Sequence, residues 1–157
     1  MVESMIATSL VVIGILGIMS LLARSANLSH STSHSLQATY LAAEGIEVVK
    51  NILDTDVAEN LPWGTSVPSS GTYCVRFDTH ILAACPSPED FAYDPTSGFY
   101  IIDHCMASYG CPFPFQREVA ITSTGNAFDV SSTVSWYEGG AQKSVTLEDV
   151  FQGWRSP

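Results

Sequence analysis

The residues of this 157-residue sequence best suited to covalent chemistry are four cysteines, Cys74, Cys85, Cys105 and Cys111. Their intervals of eleven, twenty and six residues lack the tight Cys-x-x-Cys pairs of a zinc site. An even number, all beyond a long apolar segment, reads instead as disulfides formed in an oxidising compartment. Cys105 and Cys111 stand six apart across Tyr109-Gly110, which can turn the chain back. The spacing therefore favours Cys105–Cys111 and leaves Cys74–Cys85, with two other connectivities still open.

Other groups with chemical potential are weaker. His30 and His34 stand at i, i+4, a metal-ligand spacing, but no carboxylate or cysteine lies nearby, so they read as a solvated helix face. His104 and Cys105 are adjacent, and adjacent side chains point apart. Asp54, Asp56 and Glu59 could ligate Ca²⁺, as could Glu89, Asp90 and Asp94. Neither set has the glycine and terminal glutamate of an EF-hand, so both read as solvated acids. Asn27-Leu28-Ser29 matches an N-glycosylation sequon, and Ser29, Ser31, Thr32 and Ser33 could carry O-linked sugar. No Gly-rich phosphate loop, nucleophile elbow or His-Glu-x-x-His occurs. The expectation is a protein without catalytic residues, metal or cofactor.

Charge narrows the partners. The formal net charge is −10, with only six scattered basic residues: Arg24, Lys50, Arg76, Arg117, Lys143 and Arg155. Nucleic-acid binding by charge is not expected, because a phosphate groove needs clustered cations. The acidic excess falls after residue 43 and would keep a dense array of subunits soluble.

The element that organises the rest is N-terminal. From Met5 to Ala23 no charged residue occurs; at about 1.5 Å per residue this run matches a hydrocarbon core of about 30 Å. A cleavable signal would begin with a basic region and have a shorter apolar core. Here an acid, Glu3, precedes the run and the first basic residue, Arg24, follows it, so a retained membrane helix is expected. A carboxylate at the edge of an apolar run implies a partner. Gly14, Gly17 and Ser20 form a small-residue strip along which helices could approach closely.

Val2-Glu3-Ser4-Met5-Ile6-Ala7 followed by this apolar run resembles the processed N terminus of type IV pilins and pseudopilins. In that family the glutamate is the fifth residue of the mature chain, so two mature residues and the leader would precede Met1. The resemblance implies that Glu3 pairs with the N-terminal ammonium of a neighbouring subunit. It also implies that the helix loosens near Gly14 and Gly17 within a filament, each glycine costing a helix about 1 kcal/mol relative to alanine. The implied partners are identical subunits in a helical filament and, before assembly, prepilin peptidase (which leaves a methylated N terminus), the pilus assembly machinery and the inner membrane. The implied location is an extracellular filament at the cell surface. A major pilin is the leading expectation, with a minor pilin or secretion-system pseudopilin as alternatives. A tip adhesin is the alternative of another class, its site in loops at about 84–98 and 103–114 carrying Phe91, Tyr93, Tyr109 and Phe113.

Beyond the apolar run, Ala38, Ala42, Ile46, Val49 and Leu53 form one helical stripe, and Glu47 and Lys50 can pair at i, i+3. One helix is expected from the membrane to about Leu53, its second half packed on a sheet. Leu41–Asn51 and Phe115–Trp154 also resemble pilin-like proteins, whereas residues 54–114 resemble no nameable family.

Strands are expected at 73–77 and 98–102. Two more carry a buried face, one of Phe115, Arg117, Val119 and Ile121, the other of Phe128, Val130, Val134 and Trp136. Glu138-Gly139-Gly140 reads as a hairpin turn, residues 144–147 return, and Leu147, Phe151 and Trp154 suit a closing helical turn. The expected fold is thus α+β and pilin-like: a hydrophobic helix over 1–24, then a head over 25–157 with an antiparallel sheet of about four strands.

Overall fold

The computed structural model describes residues 2–68, 70–75, 82–84, 89–94, 99–102 and 115–153. The chain divides into two compact units, Met1–Leu36 and Gln37–Pro157. Helix α1 runs from Val2 to Ala58, since no proline occurs before Pro62 to remove a helical donor. Its end is five residues beyond the expected Leu53 and has a specific cause. Asn60 adopts φ 59°, Asn60 N donates to the Val57 carbonyl at 3.2 Å, and Leu61 N donates to the Asp56 carbonyl at 2.8 Å. This is a Schellman ending with asparagine in the left-handed position, and Pro62 follows.

Within the second unit, the face of α1 that packs on the sheet comprises Ala38, Leu41, Ala42, Gly45, Val49, Ile52, Leu53 and Asp56. Four of the five expected stripe residues are buried; Ile46 is half-buried and flanks the cluster. The buried face is wider than the expected stripe because Leu41, Gly45 and Ile52, each one position before a stripe residue, are buried as well. On the solvent side Lys50 Nζ lies 3.4 Å from Glu47 Oε1, the expected pair.

Among the described residues the sheet has seven strands instead of about four: β1 Gly71–Cys74, β2 Ala83–Ala84, β3 Glu89–Asp94, β4 Phe99–Ile102, β5 Phe115–Thr124, β6 Ala127–Glu138 and β7 Ala141–Gln152. All pairings are antiparallel. Three long strands, β5, β6 and β7, lie side by side. The other edge of β5 is shared: β1 pairs with Val119–Ile121 and β3 with Phe115–Arg117. Strand β2 then adds to β1, and β4 to β3. The expected loop at 84–98 therefore contains a strand, β3, whose acidic ends hid it from a periodicity reading.

Tight turns fix the register of the long strands. Gly139 and Gly140 have φ of 62° and 80°, the two positive values a type I′ hairpin needs, and set Glu138 opposite Ala141. From there pairing continues without interruption to Ala127↔Gln152. The closing helical turn through Phe151 is accordingly replaced by strand, because twelve residues of ladder outweigh a single unpartnered turn. Trp154 lies outside the described residues.

Phe115, Arg117, Val119 and Ile121 of β5 and Phe128, Val130, Val134 and Trp136 of β6 are buried, as expected, with Ser132 among them. Two apolar clusters result. One joins Ala38, Leu41 and Ala42 to Phe115, Val134 and Trp136. The larger joins Val49, Ile52 and Leu53 to Val119, Ile121, Phe128 and Val130, with Val67 and Val75. Gly45, Arg117 and Ser132 stand between them in sequence register, a polar seam across an otherwise apolar core.

Candidate assembly site

The first unit exposes its apolar side chains throughout. Ile6, Leu10, Ile13, Leu16 and Leu21 are each more than half exposed, and none of the most hydropathic 18-residue window of α1 is buried. By length and composition this helix is apolar enough to cross a membrane. Its hydroxyl groups suit that environment. Thr8 Oγ1 donates to the Ser4 carbonyl at 2.9 Å and Ser9 Oγ to the Met5 carbonyl at 2.7 Å, so neither O–H is left unbonded in lipid.

Glu3 is exposed in the first turn of α1, where a carboxylate is favoured by the helix dipole. Gly14 and Gly17 are helical, and a Cβ built at either meets nothing within 4 Å. Helix α1 is continuous through both. A neighbour approaching this strip would meet bare backbone, which is what close helix packing requires.

Further along α1, Asn27, Ser29, Thr32 and Ser33 are exposed and Ser31 is half-buried. Thr32 Oγ1 already donates to the Leu28 carbonyl at 2.9 Å. The three candidate calcium ligands do not converge. Asp54 and Glu59 are exposed, whereas Asp56 is buried and accepts from Ser66 N at 3.0 Å and from Ser66 Oγ at 2.5 Å. That carboxylate fastens the loop after the helix. Among the described residues no group of three His, Cys, Asp or Glu could hold a metal ion.

The expected adhesive loops are covered only in part. Phe91 and Tyr93 belong to β3, paired with Ile102 and Tyr100 of β4, while Tyr109 and Phe113 lie outside the described residues. Cys74 is disulfide-bonded; Cys85, Cys105 and Cys111, and with them both expected pairings, lie outside the described residues.

Two features escaped the sequence reading. Gly45 lies where α1 meets the sheet: a Cβ there would stand 2.6 Å from Ser132 Oγ and 3.2 Å from Val119 Cγ2. An isolated glycine inside a helical stripe was the available signal, because its helix cost implies a packing reason. Arg117 was placed on the buried face, but its partners were not. Its Nη1 donates to the Leu41 carbonyl at 2.8 Å and to Glu44 Oε1 at 3.3 Å, and its Nη2 donates to the Val75 carbonyl. One guanidinium thereby ties the helix, β5 and the segment after β1. Comparison with known protein families, characterised proteins and solved structures finds no match to this chain.

Proposed function

We propose that this chain is a structural subunit, not an enzyme, and polymerises through its N-terminal helix into a pilin-like extracellular filament. The observation that carries the reading is the apolar run Met5–Ala23, exposed along its length, on the same helix whose second half packs in the core of a folded head. Among the described residues of α1, those buried lie between Ala38 and Asp56, which leaves the apolar run for other partners. Before assembly a bilayer would cover the run. After extraction, copies of the run would cover one another, with Gly14 and Gly17 allowing close approach and Glu3 meeting a neighbour's ammonium. At about 25 cal/mol per Å² of apolar area, this burial would dominate association, and head contacts would set register. The test is electron microscopy of filaments sheared from producing cells, with mass spectrometry of the main band. The proposal requires this chain to be the principal component; its absence from such filaments would rule out a major subunit.

A further inference from the structure

Strand β7 is long, pairs with β6, and among the described residues pairs with no other strand. We infer that its outer edge is a self-recognition surface, on which β7 of a second copy adds antiparallel, about a two-fold axis at Thr146. Hydrogen-bond parity limits the registers. The hairpin places Glu138 opposite Ala141 at a two-residue turn, so Ala141, Lys143, Val145, Leu147 and Asp149 direct their main-chain groups toward β6. Gln142, Ser144, Thr146, Glu148 and Val150 then direct theirs outward. Two such edges can pair only even-numbered residue with even-numbered residue.

Charge selects among the allowed registers. With Thr146 opposite its own copy, Ser144 faces Glu148 and Val145 faces Leu147, while Lys143 faces Asp149. The two-fold repeats every pair, which gives two opposite-charge pairs and two apolar pairs. Val145 and Leu147 are half-buried at the margin of the core and would gain cover. A two-residue shift one way places Lys143 against Leu147 and Asp149 against Ala141. The same shift the other way places Asp149 against Val145 and Lys143 against Phe151. A further step that way sets Glu148 against its own copy. Lys143 Nζ also lies 3.0 Å from Glu138 Oε2, so it would bridge an acid of each copy. Such a contact is isologous and closed; it would join two heads, or two filaments, without extending either.

The test uses the full chain in detergent micelles carrying a nitroxide at Thr146→Cys or, separately, at Gln142→Cys. The two Thr146 Cα atoms would lie about 5.5 Å apart, giving a dipolar-broadened spectrum. The two Gln142 positions would lie eight residues apart along the strands, about 27 Å. Asp149→Lys should abolish both signals, its fold being checked by thermal unfolding. Unbroadened Thr146 labels, labels closer at 142 than at 146, or signals that survive in a folded Asp149→Lys chain would each overturn the inference.

Discussion

Arg117 Nη1 reaches the main-chain carbonyl of Leu41 at 2.8 Å, and it can do so because the residue one turn on is Gly45. In a helix the Leu41 carbonyl already accepts from the N–H of residue 45, leaving one lone pair. A side chain at 45 would lean back toward the N terminus, over that lone pair. The glycine therefore serves two ends: it lets the helix settle on Ser132 and Val119, and it keeps a buried acceptor open to a buried cation.

Arg117→Ala should destabilise the head by about 3 kcal/mol, since it removes the guanidinium's hydrogen bonds to buried acceptors together with the packed stem. Arg117→Met, which keeps much of that stem, should cost clearly less. Urea unfolding of both variants checks this, and equal losses would mean that packing contributes nothing.

Gly45→Ala should also destabilise, although alanine is the better helix former by about 1 kcal/mol, because its Cβ would collide with Ser132 Oγ. Ser132 Oγ is buried with no hydrogen-bond partner among the described residues, so Ser132→Ala should be close to neutral or stabilising. The double variant should recover part of the Gly45→Ala loss, a coupling of about 0.5–3 kcal/mol for touching residues. Strict additivity in a double-mutant cycle would refute the close contact.

These two residues also show how far the sequence could be read. The period of 3.6 in Ala38–Leu53 and the period of 2 in Phe115–Ile121 and Phe128–Trp136 reveal the packed helix and the central strands, because burial on one face leaves a periodic trace. Asn60 was silent, since its role depends on a left-handed φ that several residue types can adopt. Strand β3 was hidden because its acidic residues at both ends break the alternation, although one of its partners, β4, follows closely in sequence. Arg117's place on the buried face was legible and its three acceptors were not: all are oxygens on remote segments, two of them main-chain.

Asp56→Ala should cost about 1–3 kcal/mol by freeing Ser66 N and Oγ, two donors joined to one carboxylate. Asp54→Ala, at an exposed position, should stay within about 0.5 kcal/mol of the parent. Thermal unfolding with and without added Ca²⁺ separates this role from metal binding. The midpoint should not shift with Ca²⁺, and a calcium-dependent rise would reassign Asp56 as a ligand.

Glu3→Gln should leave membrane insertion intact and sharply reduce filament yield, because it removes the charge while keeping size and helix propensity. Fractionation of membranes and sheared filaments reads both quantities. Undiminished filament yield would remove Glu3 from assembly.

The central claim is that the exposed apolar helix, and not the head, drives polymerisation. Its most direct measurement compares, by electron microscopy at matched concentrations, the full chain released from detergent with a chain beginning at Ser25. The account predicts filaments from the full chain and none from the shortened one. Filaments of the shortened chain, at concentrations where the full chain assembles, would contradict it.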